Sequence, residues 1–562
     1  MIIKYPLLLF VVLFFAISCS KDELNQDPQN PYEESNLEFE VFFAQTHVQH
    51  PSDELFKLTS ESDALIKAQV TSDKGEASPE VKAVLTLNGS TETIILEGPP
   101  TLPTSIELSP GKVEHKFEDS FTGVIPKEWV KPGLTVEVVA GTKSVVLNNL
   151  KIGAPNVINL KMFDTHFFAL TPGDYPDGWD KEIVSKWPTA ALKIQRTPNI
   201  VFKELTIPPR GNGIIAARVS SKEEYQNLTG ASFDGEQAAA SKWNSALRRA
   251  AGFRNRLSLF YINIYGVNSG GQAGGFAGVG NGKKLGIFHH EIGHAFSLPH
   301  WGDNATYPYK GDMHGIPAPN IYKSTHAGPT WAFDMPSMTF IPPTVQENAV
   351  GGTPGTYKAD PMQGGGSGDQ EPQFLLRHFS DFSVNKMRNY LENHIVIWND
   401  ALGSYASWDD ATGDYTKVVA NDGVKYPIER EVNVISVMVG VSATTPQATI
   451  VYPPIGPYTS DMIELFDPTV EADRLKADAI YCPEGGCDTS VKVVQGGVTK
   501  IYMLPTALDE ALAASDSNSF KSGAVNLKAA DGEVTSIELL ATPDAEKNGL
   551  PAIPQVLYSW KK

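Results

Sequence analysis

The sequence predicts a multidomain α+β protein in which an α/β domain lies between β-sandwich domains. The chain has 562 residues, enough for three or four domains of ordinary size. Short stretches with alternating apolar residues fill its first and last parts, whereas the middle mixes helical and strand patterns. Hydrophobic residues make up 41% and charged residues 20%, which is typical of a globular protein.

The N-terminus has the features of an export signal. Lys4 precedes an apolar run over residues 5–17, which is too short to span a bilayer comfortably and ends in small residues before Cys19. Residues 1–19 resemble a bacterial lipoprotein signal peptide, in which Cys19 becomes lipidated. Residues 20–23 (SKDE) resemble the acidic export tag of surface lipoproteins. We therefore expect a lipid anchor in the bacterial outer membrane, facing the exterior; the alternative is an ordinary cleaved signal with an incidental cysteine.

The first ordered part is expected to be a β-sandwich. Residues 20–38 are polar and lack periodicity, which predicts a flexible tether. Residues 39–162 contain period-two stretches such as 81–87, followed by Asn88-Gly89, and predict an N-terminal, Ig-like β-sandwich. Its histidines are scattered and are expected to be solvated: His47, His50 and His115.

The middle region, 163–400, is the candidate catalytic domain. Residues 236–251 predict an amphipathic helix and 257–265 a buried strand. Residues 266–282 hold eight glycines but lack the phosphate-loop spacing, so we expect a flexible rim beside a cleft. An amphipathic helix is predicted over 382–398.

Residues 401–562 return to strand-like alternation and predict one or two C-terminal β domains. This part contains Cys482 and Cys487, five residues apart. In an oxidising compartment they favour a local disulfide, because two cysteines alone make a poor zinc site.

The net charge of −19 excludes one class of partner. Nucleic-acid binding needs a basic stripe facing the phosphates, and this chain supplies none. An acidic balance also disfavours adsorption to anionic membranes.

Residues 290–300, with the sequence HEIGHAFSLPH, carry the strongest chemical signal. Positions four apart lie on one face of a helix, so His290 and His294 can direct both imidazoles at one metal ion. Glu291 then projects beside the metal, where its carboxylate can take a proton from the attacking water. His289 points away from His290 and is interpreted as a packing or supporting residue.

Pro299 ends the helix and predicts a turn that brings His300 back as a third ligand. Three imidazoles with one open position match a catalytic zinc site. The alternative, a gluzincin arrangement, would use a downstream glutamate in place of His300.

A loop-rich stretch, 301–373, follows, and its length favours functional loops. A methionine in a tight turn lies beneath the metal of metzincins. Met362, in the sequence DPMQGGG, fits that role, but Met335 and Met338 compete and spacing alone does not separate them.

Several of these segments together resemble the StcE-type zinc metallopeptidases, secreted or surface proteases that cut mucin-like O-glycosylated proteins. The similar segments lie in a similar order over about residues 40–410: PKEWVKPGL (126–134), HEIGH (290–294), TWAFD (330–334), FIP (340–342), DPMQGG (360–365) and 382–399. The resemblance implies a metzincin-like α/β protease domain, with Met362 as the turn methionine.

In this family His290, His294 and His300 would bind one Zn²⁺ ion and Glu291 would be the general base. The sequence departs from the family at two positions. Ser297 stands where the family usually has glycine, and Trp301 stands where relatives carry tyrosine, a possible donor to the developing oxyanion. Trp301 and Trp331 are candidate substrate-binding residues, Trp331 by stacking on a sugar; core packing is the alternative for Trp331.

The function expected is zinc-dependent hydrolysis of peptide bonds in extracellular, mucin-like O-glycoproteins, because the resemblance implies that substrate class. Two alternatives stay open: a zinc peptidase acting on unglycosylated protein, and a surface glycan-binding lipoprotein with a vestigial zinc site. No motif indicates serine or thiol catalysis.

Overall fold

The computed structural model describes eleven stretches of the chain: residues 36–105, 114–211, 213–229, 234–253, 256–302, 304–311, 326–343, 360–363, 374–418, 421–482 and 486–562. These residues form three packed units that are mostly β. Cys19 and the predicted tether up to residue 35 lie outside the described residues.

The N-terminal unit consists of two four-stranded antiparallel sheets that share one apolar core. One sheet has the order β2-β1-β4-β7 and the other β6-β5-β8-β9, while β3 and β10 form a small parallel pair. Residues alternate between buried and half-buried along β5, the pattern of a strand with one face on the core. The strands are β1 (Leu37–Ala44), β2 (Val48–Gln49), β3 (Leu58–Thr59), β4 (Ala64–Ser72), β5 (Val81–Leu87), β6 (Ser90–Leu96), β7 (Phe121–Ile125), β8 (Thr135–Ala140), β9 (Lys143–Leu147) and β10 (Ile152–Gly153).

The central unit is built on a six-stranded sheet with helices on both faces. Its strands are β11 (Ile158–Phe167), β12 (Leu192–Arg196), β13 (Ile200–Phe202), β14 (Leu205–Ile207), β15 (Ala217–Val219), β16 (Leu259–Tyr265), β17 (Gly271–Ala273), β18 (Ala277–Asn281), β19 (Ala332–Asp334) and β20 (Thr339–Ile341). Its helices are α1 (Trp179–Lys186), α2 (Lys222–Thr229), α3 (Asp234–Ala251), α4 (Leu285–Ala295) and α5 (Asp381–His394).

The central sheet has the order β12-β11-β16-β18-β17, with β13 also paired to β11. All its pairings are parallel except that of β17, the edge strand, which is antiparallel to β18. Strand β16 is buried on both faces: Phe260 packs with α3, whereas Tyr261 packs with α1, α4 and α5. Such a continuous apolar run is expected of a central parallel strand.

The C-terminal unit holds a β hairpin extended to three strands and a second pair of facing sheets. The facing sheets, β25-β24-β26 with β29 and β28-β27-β30-β31, enclose one apolar core, and β24 and β26 also pack on α3. The elements are β21 (Val396–Asn399), β22 (Ser404–Asp409), β23 (Asp414–Lys417), β24 (Glu429–Ser442), β25 (Ile450–Val451), β26 (Ile455–Met462), α6 (Glu471–Ile480), β27 (Thr489–Gln495), β28 (Val498–Leu504), β29 (Phe520–Lys528), β30 (Val534–Ala541), α7 (Ala545–Asn548) and β31 (Val556–Lys561).

The element boundaries differ from the sequence prediction in three places. Strand β11 runs through the predicted domain boundary at 162/163, so the central unit begins before Ile158. Helix α5 ends at His394 instead of Trp398, and the next residues form β21, whose hairpin with β22 spans the predicted boundary at 400/401. Strand β11 is set by pairing with the distant strand β16, which a local pattern does not record, whereas β21 is set by a local hairpin whose strand pattern was predicted as helix.

The glycine-rich segment is not the flexible rim that was predicted, because it contains β17 and the central strand β18. Its glycines make room for large rings on β16. A β-carbon at Gly278 would lie 2.7 Å from Tyr261 Cδ2, and one at Gly282 would lie 2.2 Å from Tyr265 Cζ. Since these glycines alternate with period two, their spacing was a strand signal that the prediction missed.

The N-terminal and central units join through β19. The Trp331 carbonyl accepts a hydrogen bond from Val48 N at 3.0 Å, and Phe333 N donates to Thr46 O at 2.9 Å. The predicted solvation of His47 and His115 is wrong, because they are 5% and 7% exposed at this joint.

Among the described residues, no helix combines the length and apolar character needed to cross a bilayer.

Candidate metal centre

Helix α4 carries the HEIGH motif and lies against the central sheet. It follows β18 after a short turn in which Lys284 N donates to Asn281 O at 3.1 Å. Phe288 and Ile292, one turn apart, are fully buried in the core formed with α1 and α5. This packing fixes the rotation of the helix about its axis, so the side chains at positions 290 and 294 share one direction.

The helix ends in a Schellman motif that aims the chain toward the third histidine. Ser297 N donates to His294 O at 2.9 Å, and Leu298 N donates to Gly293 O at 2.9 Å. The motif needs a left-handed residue, and Ser297 adopts it with φ 72°. A serine therefore takes the conformation for which the family uses glycine, at the steric cost of a β-carbon there.

The three predicted histidines converge. His300 Nε2 lies 3.1 Å from His290 Nε2 and 3.1 Å from His294 Nε2. His290 is buried, His294 half-buried and His300 exposed, so the cluster opens to one side. Three ring nitrogens therefore face one accessible point.

Protein partners fix the tautomers of two of these rings. His290 Nδ1 donates to Pro361 O at 2.8 Å, and His294 Nδ1 donates to Leu298 O at 2.7 Å. Their Nε2 atoms therefore carry lone pairs toward His300 in the neutral rings. Burial lowers the pKa of His290 to about 4 and also lowers the pKa of His294, which favours the neutral, ligating form.

These residues fit a tetrahedral metal ion. Nitrogen ligands at the usual zinc distance of about 2.0–2.1 Å lie about 3.3 Å apart in a tetrahedron. The observed separations of 3.1 Å are close to this value. The three histidines could therefore bind a metal ion.

Glu291 lies beside the cluster with one oxygen unused. The residue is 6% exposed, and its Oε2 has no hydrogen-bond partner among the described residues. Burial raises the pKa of this carboxyl to about 8. An ion at the histidines would add positive charge nearby and favour the carboxylate.

A turn at residues 360–363 supports the histidines from below. Asp360 Oδ1 accepts from Met362 N at 2.8 Å, and Asp360 Oδ2 accepts from Ser380 N and Ser383 Oγ at 2.8 and 2.7 Å. This buried carboxylate fixes the Pro361 carbonyl that orients His290. Sequence reasoning missed the role of Asp360, although it lies inside a recognised motif.

Of the three candidate methionines, Met362 is the one under the histidine helix. It is fully buried, and a β-carbon at Gly293 would lie 2.3 Å from its Sδ. The glycine in HEIGH is thus required by the close approach of the turn. Met335 and Met338 instead pack at the joint with the N-terminal unit.

His289 is a packing residue, in line with the interpretation of the sequence. Its Nδ1 accepts from Trp187 Nε1 at 3.3 Å, and its Nε2 donates to Arg377 O at 3.1 Å. Burial lowers its pKa to about 3, so the ring is neutral. With both nitrogens bonded, it has no free ligand atom.

Both candidate substrate-binding tryptophans lie in packing positions, which for Trp331 is the alternative that the sequence left open. Trp301 is fully buried, stacks on Tyr307 at 5.0 Å and donates from Nε1 to Ser383 Oγ at 2.9 Å. Its N–H is therefore committed to the fold, and the prediction that it contacts substrate is wrong in this structure. Trp331 is half-buried at the joint, with its ring perpendicular to that of His115 at 5.4 Å, a packing role.

The edge strand β17 completes the centre and was not predicted. It pairs with β18 alone among the described strands. A β-carbon at Gly271 would lie 2.4 Å from Glu291 Cγ, so the strand passes directly beside the candidate base. One β edge thus borders the opening of the histidine cluster.

The predicted disulfide between Cys482 and Cys487 is present, far in sequence from this centre. It borders a small core that includes Tyr481 and Phe466.

Comparisons with known proteins identify the family of this chain. The family model described as Peptidase M66 matches residues 112–396, just over half of the chain and including all the centre's residues. The chain is 29% identical over 508 residues to Dictomallein of Burkholderia mallei, covering 78% of this chain and 71% of that protein. It is 27% identical over 539 residues to Dictomallein-2 of Dictyostelium discoideum, covering 81% and 84%. The chain belongs to the Peptidase M66 family, a family of metallopeptidases.

Proposed function

We propose that the protein is a zinc-dependent endopeptidase that cuts extracellular mucin-like O-glycoproteins. The observation that carries this proposal is the convergence of His290, His294 and His300 beside the unpartnered carboxylate oxygen of Glu291. Membership of a peptidase family supports the reaction class.

Zinc is the ion that suits this ligand set. Imidazole nitrogens are borderline ligands that suit zinc, and three of them with one open position are typical of catalytic zinc. When bound, the ion supplies Lewis acidity to the scissile carbonyl and lowers the pKa of water.

The chain's own residues then move the proton. Glu291 accepts a proton from the attacking water as the water oxygen bonds to the carbonyl carbon. The same carboxyl returns this proton to the amide nitrogen as the carbon–nitrogen bond breaks, releasing an amine and a carboxylate. His289 and Asp360 hold the helix and its supporting turn in place during these steps.

The substrate backbone is proposed to bind along β17. An extended peptide can add to an exposed strand edge by backbone hydrogen bonds. At Gly271 this would place a peptide beside Glu291. The strand and its following turn contain only small residues apart from Gln272 and Phe276, and the Phe276 side chain is buried, so side chains carrying bulky sugars meet little steric hindrance.

The proposed location is the outer face of the bacterial outer membrane, anchored through lipidated Cys19. We assign residues 1–19 to the lipoprotein signal, whose Cys19 stays as the first residue of the mature chain, and 20–38 to a tether whose last two residues, Leu37 and Glu38, already belong to β1. The acidic residues after Cys19 support surface display.

The test compares the parent protein with Glu291→Ala on a mucin-type glycoprotein, before and after enzymatic removal of its O-glycans. The metal content of the parent and of each variant is measured by plasma mass spectrometry. Glu223→Ala, at an exposed position on α2, is the matched control. We expect one zinc per chain in all three proteins and cutting of the glycosylated substrate by the parent and the control alone.

Two other results would redirect the proposal. Equal cutting of the deglycosylated substrate would assign a general zinc peptidase. Full zinc occupancy with no cutting of either substrate would favour a surface binding protein.

A further inference from the structure

A second candidate site lies away from the metal centre, where α3 meets the C-terminal unit. It is an open cavity of about 450 Å³. One wall comes from α3 and the opposite wall from the start of β29 and the segment before it. The cavity therefore exists only because these two units pack together.

Three cationic side chains line the cavity. Lys242 and Arg249 are seven residues apart on α3, two helical turns, and so face the same side; Lys521 approaches from β29. None of the described residues that line the cavity is acidic. Three cations share one cavity in a chain whose net charge is −19.

Two of the three cations have no acidic partner. Within the described part of the chain, Arg249 and Lys521 form no ion pair. Lys242 Nζ donates to Ser517 O and Phe520 O at 3.0 and 3.1 Å, which uses two of its three hydrogens. Burial, followed by the charges of Lys521 and Arg249, lowers the pKa of Lys242, and the charge of Asp516 opposes this less strongly, so the cations are close enough to repel.

The rest of the lining is polar on one side and apolar on the other. Ser245 and Asn518 offer exposed hydroxyl and amide groups, and the Ser522 hydroxyl has no partner among the described residues. The half-buried ring of Phe253 stacks on Tyr481 at 5.4 Å, and the guanidinium carbon of Arg249 lies over this ring, 6.0 Å from its centroid. Cations together with hydroxyl and amide groups match a ligand with an anionic group on a hydroxylated ring.

We propose that this cavity, which we call the basic cavity, binds an acidic sugar through its carboxylate or sulfate group, with Arg249 and Lys521 as the principal contacts. The choice of a sugar over other anions rests on the proposed glycoprotein substrate. An acidic sugar of a glycoprotein bound at the metal centre would then contact the protein at a second point. Because this second contact is intramolecular, it would raise the overall affinity for the substrate.

The experiment titrates the full-length mature protein with three probes: N-acetylneuraminic acid, sodium sulfate and the neutral sugar N-acetylgalactosamine. Binding is followed by calorimetry and ligand-observed NMR. The variants are Arg249→Gln and Lys521→Gln, and Lys500→Gln, an exposed lysine on β28 outside the cavity, is the matched control. Because Arg249 is exposed and Lys521 half-exposed, the variants are expected to fold, which circular dichroism checks.

We expect the acidic sugar to bind, and each variant to raise its Kd about tenfold, the effect of losing one charge-assisted hydrogen bond. Binding should weaken with added sodium chloride, whereas Lys500→Gln should leave it unchanged. N-acetylgalactosamine should not bind the cavity.

Three results would overturn the proposal: no binding of the acidic sugar, binding unaffected by both variants, or binding of sulfate as tight as that of the sugar. The assay involves no peptide cutting. Intact sugar binding by a parent protein that cuts neither the glycosylated nor the deglycosylated substrate would therefore contradict the proposed function alone.

Discussion

The metal centre and the joint between the N-terminal and central units both hold a buried polar atom without a partner among the described residues, Glu291 Oε2 at the centre and Lys67 Nζ at the joint, yet the two regions differ in what surrounds it. At the centre, His290 and His294 each bond a carbonyl through Nδ1, and their Nε2 atoms face His300 at an opening. At the joint, Lys67 Nζ and His115 Nδ1 lack partners among the described residues. They lie among aromatic rings, with Lys67 Nζ 5.3 Å from the Phe42 ring centroid.

The difference shows which unpartnered groups indicate function. A polar group without a partner costs free energy wherever it is buried. Where several such groups face one accessible space and their other atoms already form hydrogen bonds, a bound ligand can supply the missing interaction and so offset that free energy. Burial shifts pKa values in both regions; at the joint it lowers that of Lys67 to about 8 and that of His115 to about 3.

The largest effect is expected from removing a ligand. His290→Ala and His300→Ala should each lose the metal ion and lower kcat/KM on the order of a thousandfold or more, since the ion contributes several kcal/mol. Metal analysis and peptide cleavage measure this, with His50→Ala in the N-terminal unit as the control. Stoichiometric metal in His300→Ala would contradict the three-histidine set and favour a glutamate ligand.

A second prediction concerns Lys186, a buried lysine near the joint that does have a partner. Its Nζ lies 3.2 Å from Asp334 Oδ1, and its side chain is 0% exposed. Lys186→Met should destabilise the protein by about 3–5 kcal/mol, because Asp334 is left buried and uncompensated. Chemical denaturation measures this. Recovery in the double variant Lys186→Met/Asp334→Leu would identify the unpaired charge as the cause; no recovery would indicate lost packing.

Lys67 should behave in the opposite way. Lys67→Met removes a buried ammonium without a partner and keeps its volume, so we expect a gain on the order of 2 kcal/mol at pH 7. The same denaturation assay applies, with Lys82→Met on β5 as the comparison at a half-buried site. Destabilisation by Lys67→Met would show that the contact with Phe42 outweighs the burial of the charge.

The joint should also give a pH dependence. Burial, and secondarily the charge of Lys67, lowers the folded pKa of His115 below its unfolded value of 6.5. Between about pH 3 and 6.5 the unfolded chain binds the extra proton, so stability falls as the pH falls through this window. Relative to His115→Phe, the parent should lose about 1–2 kcal/mol between pH 6.5 and 5, measured from thermal unfolding at each pH. A constant difference would show that His115 keeps an ordinary pKa.

The smallest effect is expected at Ser297, the strained residue of the metal centre. Ser297→Gly removes the steric cost of φ 72° but adds backbone entropy to the unfolded chain, so we expect a gain below about 1 kcal/mol. Ser297→Val should destabilise, because a branched β-carbon is worse in the left-handed region. Thermal unfolding of the metal-free protein measures both changes. A loss of stability in the glycine variant would show that the serine side chain has a role of its own.

The parts that sequence predicted best are those set by local periodicity. The four-residue spacing of His290 and His294 follows from helical geometry, and the turn before Pro299 follows from proline sterics. The alternation in residues 81–87 likewise predicted strand β5. The methionine beneath the histidine helix is a contrasting case. Sequence spacing left three candidates, and only the close approach of Met362 to Gly293 in the structure distinguishes Met362 from the other two.

The glycine-rich segment shows why other parts escaped prediction. Only glycine fits at these positions, because the rings of Tyr261 and Tyr265 occupy the space that a β-carbon would need. These rings belong to another strand. The burial of Trp301 depends in the same way on Ser383 and Tyr307, which lie elsewhere in the sequence.

By itself, then, the sequence determined the candidate ligand pair His290 and His294, the candidate base Glu291 and the end of their helix, because these depend on neighbours within a few turns. Only the tertiary structure decided that His300 closes the cluster, that β17 borders Glu291 and that three cations meet at the basic cavity. Each of those contacts joins segments whose meeting is decided by the packing of whole sheets and helices, which no local pattern records.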